Sequence, residues 1–342
     1  MTLKYPLSCG VMARTAFVTG GSGFLGRHVV EQLANQGWRV VALHRPTSDV
    51  RALRTYAGVE LAEGSITDPA SLERAIPEGC DAVFHVAGNT SLWSGGNAQQ
   101  TRENVDGTRF VVETCLKRKV GRLVHTSSVA SWGEQHVVPF DETAPQHAAG
   151  SFVNYERTKY LGELEVLKGV ERGLPACIMN PGHIVGRYDA NSWARLIRLV
   201  DAQKLPGIPP GEGTWAAATE VAKAHLTAVE RGRVGERYLL GGTFATFVEA
   251  IRIIGQLTGR KVPTKPMPGW IIRALGRVSQ WGSYVTKRAP QVTPEIASST
   301  SRPPHLFKSD KAIRELGYAA VPLETTLREA FEWLKSEGML KG

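Results

Sequence analysis

Thr15-Ala-Phe-Val-Thr-Gly-Gly-Ser-Gly-Phe-Leu-Gly26 opens with five strand-forming residues and then sets glycines at 20, 23 and 26. An apolar-periodic stretch runs on to Gln36, Gly37 stops it, and Trp38-Arg-Val-Val-Ala-Leu43 reads as a second strand. Strand, tight turn, helix and strand make a βαβ unit. Glycine tolerates positive φ and lets a ligand come close to the backbone, while the unpaired N–H groups at a helix N-terminus attract an anion. In this setting the pattern predicts a pyrophosphate cradle formed by Gly20, Ser22, Gly23, Phe24, Leu25 and Gly26, and with it a dinucleotide site.

The alternation continues outward from that unit. A short strand near Val59-Glu-Leu61, a helix from Pro69 to Ile76, a buried strand Ala82-Val-Phe-His-Val86, a helix from Thr101 to Lys119 and a strand Arg122-Leu-Val-His-Thr126 follow in turn. Such alternation predicts an α/β architecture, a doubly wound parallel sheet with its ligand beyond the carboxyl ends of the strands. The loops 20–26, 44–48, 64–68, 87–97 and 127–133 are therefore where function should gather. Beyond residue 180 prolines punctuate short helices and turns. The expected organisation is a loose extension over 1–13, with Met12 an alternative start, a cofactor domain over 14–180 and a smaller, mostly helical substrate lobe over 181–342. A strand near 236–240 is expected to return to the main sheet.

At 342 residues the chain is long enough to bury a sizeable core, and 42% hydrophobic with 21% charged residues excludes disorder or a fibrous repeat. Lys and Arg total 41 against 32 Asp and Glu, a net charge of +9 that suits a phosphorylated ligand. The densest basic cluster, Lys117, Arg118, Lys119 and Arg122, has no aromatic RNA-binding signature, metal-finger spacing or basic zipper beside it, so no nucleic-acid partner is expected. Cys9, Cys80, Cys115 and Cys177 are far apart with no C-x-x-C pair, which suits a reducing cytoplasm. No apolar run approaches the ~18 residues of a membrane span. From Trp270 to Lys287 an apolar stripe (Trp270, Ile271, Ile272, Leu275, Val278, Trp281) mixes with Arg273 and Arg277. It is expected to pack on its own domain or to line an apolar pocket, with weak membrane contact as the alternative. No metal site is expected, because His85, His125, His183 and His225 lack ligand spacing.

Two further patterns carry chemistry. A dinucleotide site normally keeps an acid at the end of its second strand to hold the adenosine ribose 2′-hydroxyl, and here that place is His44 followed by Arg45. Loss of the carboxylate removes repulsion and the guanidinium offers a bidentate partner, so a 2′-phosphorylated cofactor, NADP(H), is expected over NAD(H). Tyr155-Glu-Arg-Thr-Lys159 places a phenol and an ammonium on one helix face, where a fixed cation is expected to lower the phenol's pKa. Upstream, Thr126-Ser127-Ser128 follows a buried strand and can supply a hydroxyl that orients a substrate oxygen.

Gly-x-x-Gly-x-x-Gly after Thr19, Ser127-Ser128 before Trp132-Gly133, Tyr155-x-x-x-Lys159, Asn180-Pro-Gly-His-Ile-Val-Gly186 and the tail Lys308-Ser-Asp-Lys-Ala312 with Glu315-Leu-Gly-Tyr318 together resemble the extended short-chain dehydrogenase/reductase family. The resemblance is to its branch of dihydroflavonol-reductase-like and 3β-hydroxysteroid-dehydrogenase-like enzymes, and it implies a Rossmann-type sheet, a homodimer and NAD(P)-dependent oxidoreductase chemistry. Carried over residue by residue, it makes Tyr155 the general acid/base, Lys159 its partner and a nicotinamide-ribose contact, and Ser128 the polarising hydroxyl, with Ser127 in its place if the register is one residue out. Val86, Ala87, Gly88, Thr126, and Pro181 with Gly182, His183 and Ile184 would run beside the cofactor, and Asn104 would be structural or part of a proton relay. Ser65 and Ile66 stand where the family usually has an acid touching adenine, a departure that weakens that contact.

Substrate contacts are expected from Asn89, Thr90, Trp93, Ser128, Trp132 and Trp193, with Trp215 and Trp270 adding to a hydrophobic pocket wall. Such a lining suits a carbonyl or alcohol on a mostly apolar small molecule. The acidic pair that a nucleotide-sugar dehydratase carries after its serine is replaced by Val129-Ala-Ser131. Nucleotide-sugar epimerisation is the alternative reaction, drawing on Arg187, Arg195 and Arg198 or on Arg273 and Arg277 for a pyrophosphate. A catalytically silent NADP-binding regulator is the reading of a different class.

Overall fold

The structure is a computed structural model that describes residues 13–286, 290, 292–301 and 306–341. The anticipated extension, Ala13 apart, and Lys287 lie outside the described residues. Ten strands are present among them: β1 (Thr15–Thr19), β2 (Arg39–His44), β3 (Val59–Glu63), β4 (Ala82–His85), β5 (Leu123–Thr126), β6 (Ala176–Pro181), β7 (His183–Val185), β8 (Glu212–Ala217), β9 (Arg237–Leu240) and β10 (Thr243–Thr246).

Seven of them form one parallel sheet in the order β3-β2-β1-β4-β5-β6-β9. Side chains alternate between its two faces, as the pleat requires. Ala16 and Val18 enter one core with Val30, Leu33, Val124 and Met179, while Phe17 between them enters the other with Val83, Val111, Cys115 and Ile178. Burial on both faces is why these strands read as nearly continuous apolar runs. Strand order reverses direction between β1 and β4. The crevice for a ligand therefore opens where the loops after those two strands part.

The chain past residue 180 divides its effort. The helix Ala218–Arg231, β9 and the helix Asp310–Leu316 return to the main sheet, and Ala222, Val229, Leu240, Ala312 and Leu316 join its first core. The remainder forms a lobe whose core includes Val185, Trp215, Phe247, Ile251, Leu327 and Leu334. A three-stranded sheet, β10-β8-β7, lies in this otherwise helical lobe. β7 is only three residues long and starts one residue after β6, too short for an alternating pattern to announce it. The lobe's helix Phe247–Thr258 begins at a capping box of Thr246 and Glu249 and ends at left-handed Gly259.

Candidate active site

The loop after β1 is tightly constrained. Gly20 has φ of +72°, and a Cβ there would lie 2.7 Å from the Ala87 nitrogen in the loop after β4. A Cβ on Gly26 would fall 2.0 Å from the Gly20 carbonyl oxygen, so the helix Phe24–Asn35 can start this close to β1 only with glycine at 26. Its N-cap, Gly23, offers no side-chain acceptor, and the first turn holds no acid. The positive end of the helix thus keeps N–H groups directed at the crevice, a cradle that fits a pyrophosphate. Leu25 is buried in the core, so it can serve a ligand through its backbone alone.

Hydrogen bonds fix the loop after β4. The Ala87 N–H donates to Thr19 Oγ1 (3.1 Å), and Thr19 shares a 2.8 Å hydrogen bond with His85 Nδ1. His85 Nε2 meets Thr108 Oγ1 at 3.0 Å, and burial holds this imidazole's pKa down to about 3. Thr108 in turn donates to the Asn104 carbonyl (2.8 Å). Asn104 sits in a π-helical turn, Arg102–Asp106, that interrupts the helical run from Asn97 to Lys117. Its side chain accepts from the Asn89 N–H (2.7 Å) and donates to the Asn89 carbonyl (2.9 Å) and to Thr158 Oγ1 (3.0 Å). Asn104 therefore pins the loop beyond Gly88 to the helix that carries Tyr155 and Lys159.

At the end of β2 the exposed Arg45 guanidinium stands 4.0 Å from Glu103, and His44 Nδ1 contacts the Arg45 carbonyl (3.1 Å). The Ser65 hydroxyl is shared with Thr67 (2.9 Å), and the Ile66 side chain packs against the helix at Gly107, where a Cβ would come within 3.0 Å of it.

The helix Asn154–Glu171 brings Tyr155 and Lys159 to the carboxyl end of β5. Lys159 Nζ donates to the Thr126 carbonyl (3.1 Å), and a Cβ on Gly88 would lie 3.0 Å from Nζ. A side chain at position 88 would press on the ammonium, which would have to give way by a few tenths of an ångström. Burial lowers the Lys159 pKa to about 8, with Glu163 opposing the shift. Tyr155 behaves differently from the expectation: its pKa is raised, because burial outweighs the hydrogen bond with the Ser128 hydroxyl that pulls it down. The ammonium is turned to the Thr126 carbonyl, and the nearer influence on the phenol is Ser128.

The two serines are separated by function in space. Ser127 Oγ donates to Glu163 (2.6 Å), behind the sheet terminus, whereas Ser128 faces the phenol while accepting from the Ala130 N–H (3.2 Å). Glu163, fully buried, also accepts from Asn180 Nδ2 (2.6 Å) and Gln146 Nε2 (2.9 Å) and pairs with Arg237 (2.6 Å). Sequence reasoning passed over Glu163, although it lies four residues after Lys159 on the same helix face. Gln146 and Arg237 come from distant segments and carried no local signal.

The expected substrate contacts divide. Asn89 and Trp93 lie in the loop that follows Gly88, which Gln100 ties down through the Asn89 (3.1 Å) and Ser91 (2.7 Å) carbonyls, and Thr90 is exposed between them. Trp193 stacks on His183 with centroids 4.2 Å apart and meets Trp215 and Phe247, while Ile184 packs on the main core and the Gly182 N–H donates to the Leu240 carbonyl (3.0 Å). Trp132 does not belong to a substrate surface. It is fully buried with Phe140, Leu239 and Phe307, its indole N–H donating to the Ala144 carbonyl (3.1 Å). Trp215 is likewise core, and Trp270 points to solvent instead of lining a pocket. Arg187, a candidate for a sugar-nucleotide pyrophosphate, is held between Glu31 (3.1 Å) and Glu329 (3.0 Å).

This constellation, a glycine cradle at the switch point of a parallel sheet with a Ser-Tyr-Lys group beside it, defines an NAD(P)-dependent enzyme class. Residues 16–241 match the NAD dependent epimerase/dehydratase family, and the chain belongs to it. The chain is 29% identical over 334 residues to the sterol demethylase protein B of Methylococcus capsulatus, covering 95% of this chain and all (100%) of that one. It is 28% identical over 329 residues to a ketoreductase of Stigmatella aurantiaca acting on a 4-hydroxy-2-methyl-3-oxo-4-farnesyl-3,4-dihydroquinoline-1-oxide, with 94% and 96% covered. The crystal structure of gox2253 superimposes with a TM-score of 0.83 at 33% identity, covering 96% of this chain and 99% of that chain.

Proposed function

We propose that the protein is an NADP(H)-preferring carbonyl reductase for a ketone or aldehyde on a mostly apolar small molecule. The observation that carries this reading is the meeting of the Ser128 and Tyr155 hydroxyls at the carboxyl end of β5, with Lys159 one helical turn further along the same helix. Reduction of a carbonyl asks for a proton donor and a second hydrogen-bond donor at the carbonyl oxygen, and these two hydroxyls can supply both.

Gly20, Gly23 and Gly26 with the uncapped helix N-terminus would hold the pyrophosphate, and Arg45, whose guanidinium stands 4.0 Å from Glu103, would meet a 2′-phosphate at the end of β2. Bound reduced nicotinamide supplies hydride to the substrate's carbonyl carbon. Tyr155 gives its proton to the carbonyl oxygen, so that an O–H bond forms there as the phenolic O–H breaks. Ser128 donates a second hydrogen bond to that oxygen and steadies the charge growing on it. Lys159, still mostly protonated at pH 7 with a pKa of about 8, offsets the negative charge left on Tyr155. Trp193 with His183, and the loop of Asn89 and Trp93, would supply apolar surface for the rest of the substrate. Arg187 has two carboxylate partners already, which argues against a sugar-nucleotide pyrophosphate there. Among relatives, the named ketoreductase activity on a farnesylated substrate supports the same class.

Incubating the protein with NADPH and a panel of apolar ketones and aldehydes tests the proposal. Stoichiometric oxidation of the cofactor is expected; conversion of a nucleotide sugar to its epimer without net cofactor consumption would replace this reading with the epimerase one.

A further inference from the structure

The helix Gly269–Thr286 is amphipathic in the wrong sense for a soluble surface. Its inward face, among the described side chains, is mostly small or polar: Gly276 sits so close to the Thr293 carbonyl that a Cβ would come within 2.9 Å, and Ser283 is buried, with Ile272 the large apolar side chain buried there. Its outward face carries Trp270, Val278 and Trp281, which are 65%, 72% and 78% exposed, with Ala274 between them. At a helical repeat of ~100° per residue these four fall within one ~80° stripe directed away from the protein. Arg273 and Arg277, both exposed, run along one edge of the stripe, Lys261 and Lys265 are exposed in the preceding loop, and the helix contains no Asp or Glu.

We infer that this face docks on a bilayer surface bearing anionic headgroups. Indole rings at both ends of an apolar stripe, with cations along one edge, match what an interfacial helix presents: the rings and aliphatic groups enter the acyl boundary, and the guanidinium groups stay at the headgroups. Charge is what favours a membrane over a second copy of the chain. Two copies meeting across this face would bring four exposed arginines into the contact with no carboxylate on either helix to pair with them.

The helix is also placed to matter for the site. Gln280 Nε2 donates to Ser94 Oγ (3.0 Å), and Thr293, against which Gly276 packs, donates to the Leu92 carbonyl. The docked helix therefore rests on the loop of Asn89 and Trp93. Taken with the reductase reading, on which this step alone depends, the substrate class is a carbonyl dissolved in the membrane and delivered across that loop.

Flotation of the purified protein with phosphatidylcholine vesicles, with and without phosphatidylglycerol, tests the docking without requiring turnover. The parent should float with the anionic vesicles and less with the neutral ones, and W270S/V278S/W281S should lose about tenfold or more of that binding. The three side chains are exposed, so the variant should keep its far-UV spectrum and its NADPH oxidation with a water-soluble carbonyl. R273Q/R277Q should erase the preference for anionic vesicles. The proposal is overturned if the parent stays unbound with both vesicle types, or if W270S/V278S/W281S floats like the parent. It is also overturned if the parent sediments as a dimer that this variant converts to monomer while neither binds lipid, which would assign the face to a second copy.

Discussion

Ser127 Oγ donates to a Glu163 carboxylate oxygen at 2.6 Å, and the next residue, Ser128, turns its hydroxyl to the opposite side of the strand terminus, toward Tyr155. Adjacent serines thus have separable jobs. S128A should lower kcat by on the order of 10²- to 10³-fold with little change in melting temperature, since it removes a donor to the reacting oxygen. S127A should instead cost about 1–3 kcal/mol of stability by withdrawing a donor from a buried carboxylate, with a smaller effect on rate. Steady-state kinetics beside thermal unfolding separates the two, and a reversal of the pattern would exchange the serines' roles.

Glu163 gathers Ser127, Asn180, Gln146 and Arg237 into one buried polar group. Removing only the cation leaves the carboxylate uncompensated, so R237A should destabilise by about 3–5 kcal/mol. Replacing both charges, as in E163Q/R237A, should cost less than the sum of the two single variants, and urea unfolding of E163Q, R237A and the double variant measures the difference. A cost for the double variant equal to the sum of the two single ones would show that the pair is not coupled.

Lys159 gives stability an alkaline dependence whose sign follows from its shift. Its pKa falls from 10.5 to about 8 on folding, so between those values the unfolded chain binds the proton and the folded chain releases it. Stability from this group therefore rises with pH across that window, and the burial penalty is fully present below it. The stability of the parent relative to K159M should improve by on the order of 3 kcal/mol from pH 8 to about 10.5. A difference that stays flat over that range would mean that Lys159 is not held in a desolvated site.

Cofactor choice rests on the end of β2. H44D/R45A would restore a carboxylate beside the ribose and remove the guanidinium, so it should shift the ratio of kcat/KM from NADPH toward NADH by about tenfold or more. An unchanged ratio would remove Arg45 from the account of specificity.

The parts of the site that were legible in the sequence are local ones. The cradle is written in three glycines between a strand and a helix, and the placing of Tyr155 and Lys159 on one helix in a spacing of four, so each is specified within a single segment; that the ammonium turns to the Thr126 carbonyl is not. The Glu163–Arg237 pair joins residues 163 and 237, and no local pattern announces such a partner. The tryptophans were misread for the same reason. Trp132 lies four residues after Ser128 in sequence, yet Phe140 and Phe307 enclose it from two other segments. The stripe of Trp270 and Trp281 looked like a buried face. Gly276 decides otherwise, because the absence of a side chain lets that side of the helix settle against Thr293 and turns the tryptophans outward.

Proton donation by Tyr155 is tested most directly by the rate of NADPH oxidation in Y155F with a carbonyl that the parent reduces, beside NADPH binding followed by fluorescence. The phenol's loss should lower kcat by roughly 10²- to 10⁴-fold while cofactor affinity changes little. A Y155F protein that binds NADPH and turns over at the parent rate would contradict it.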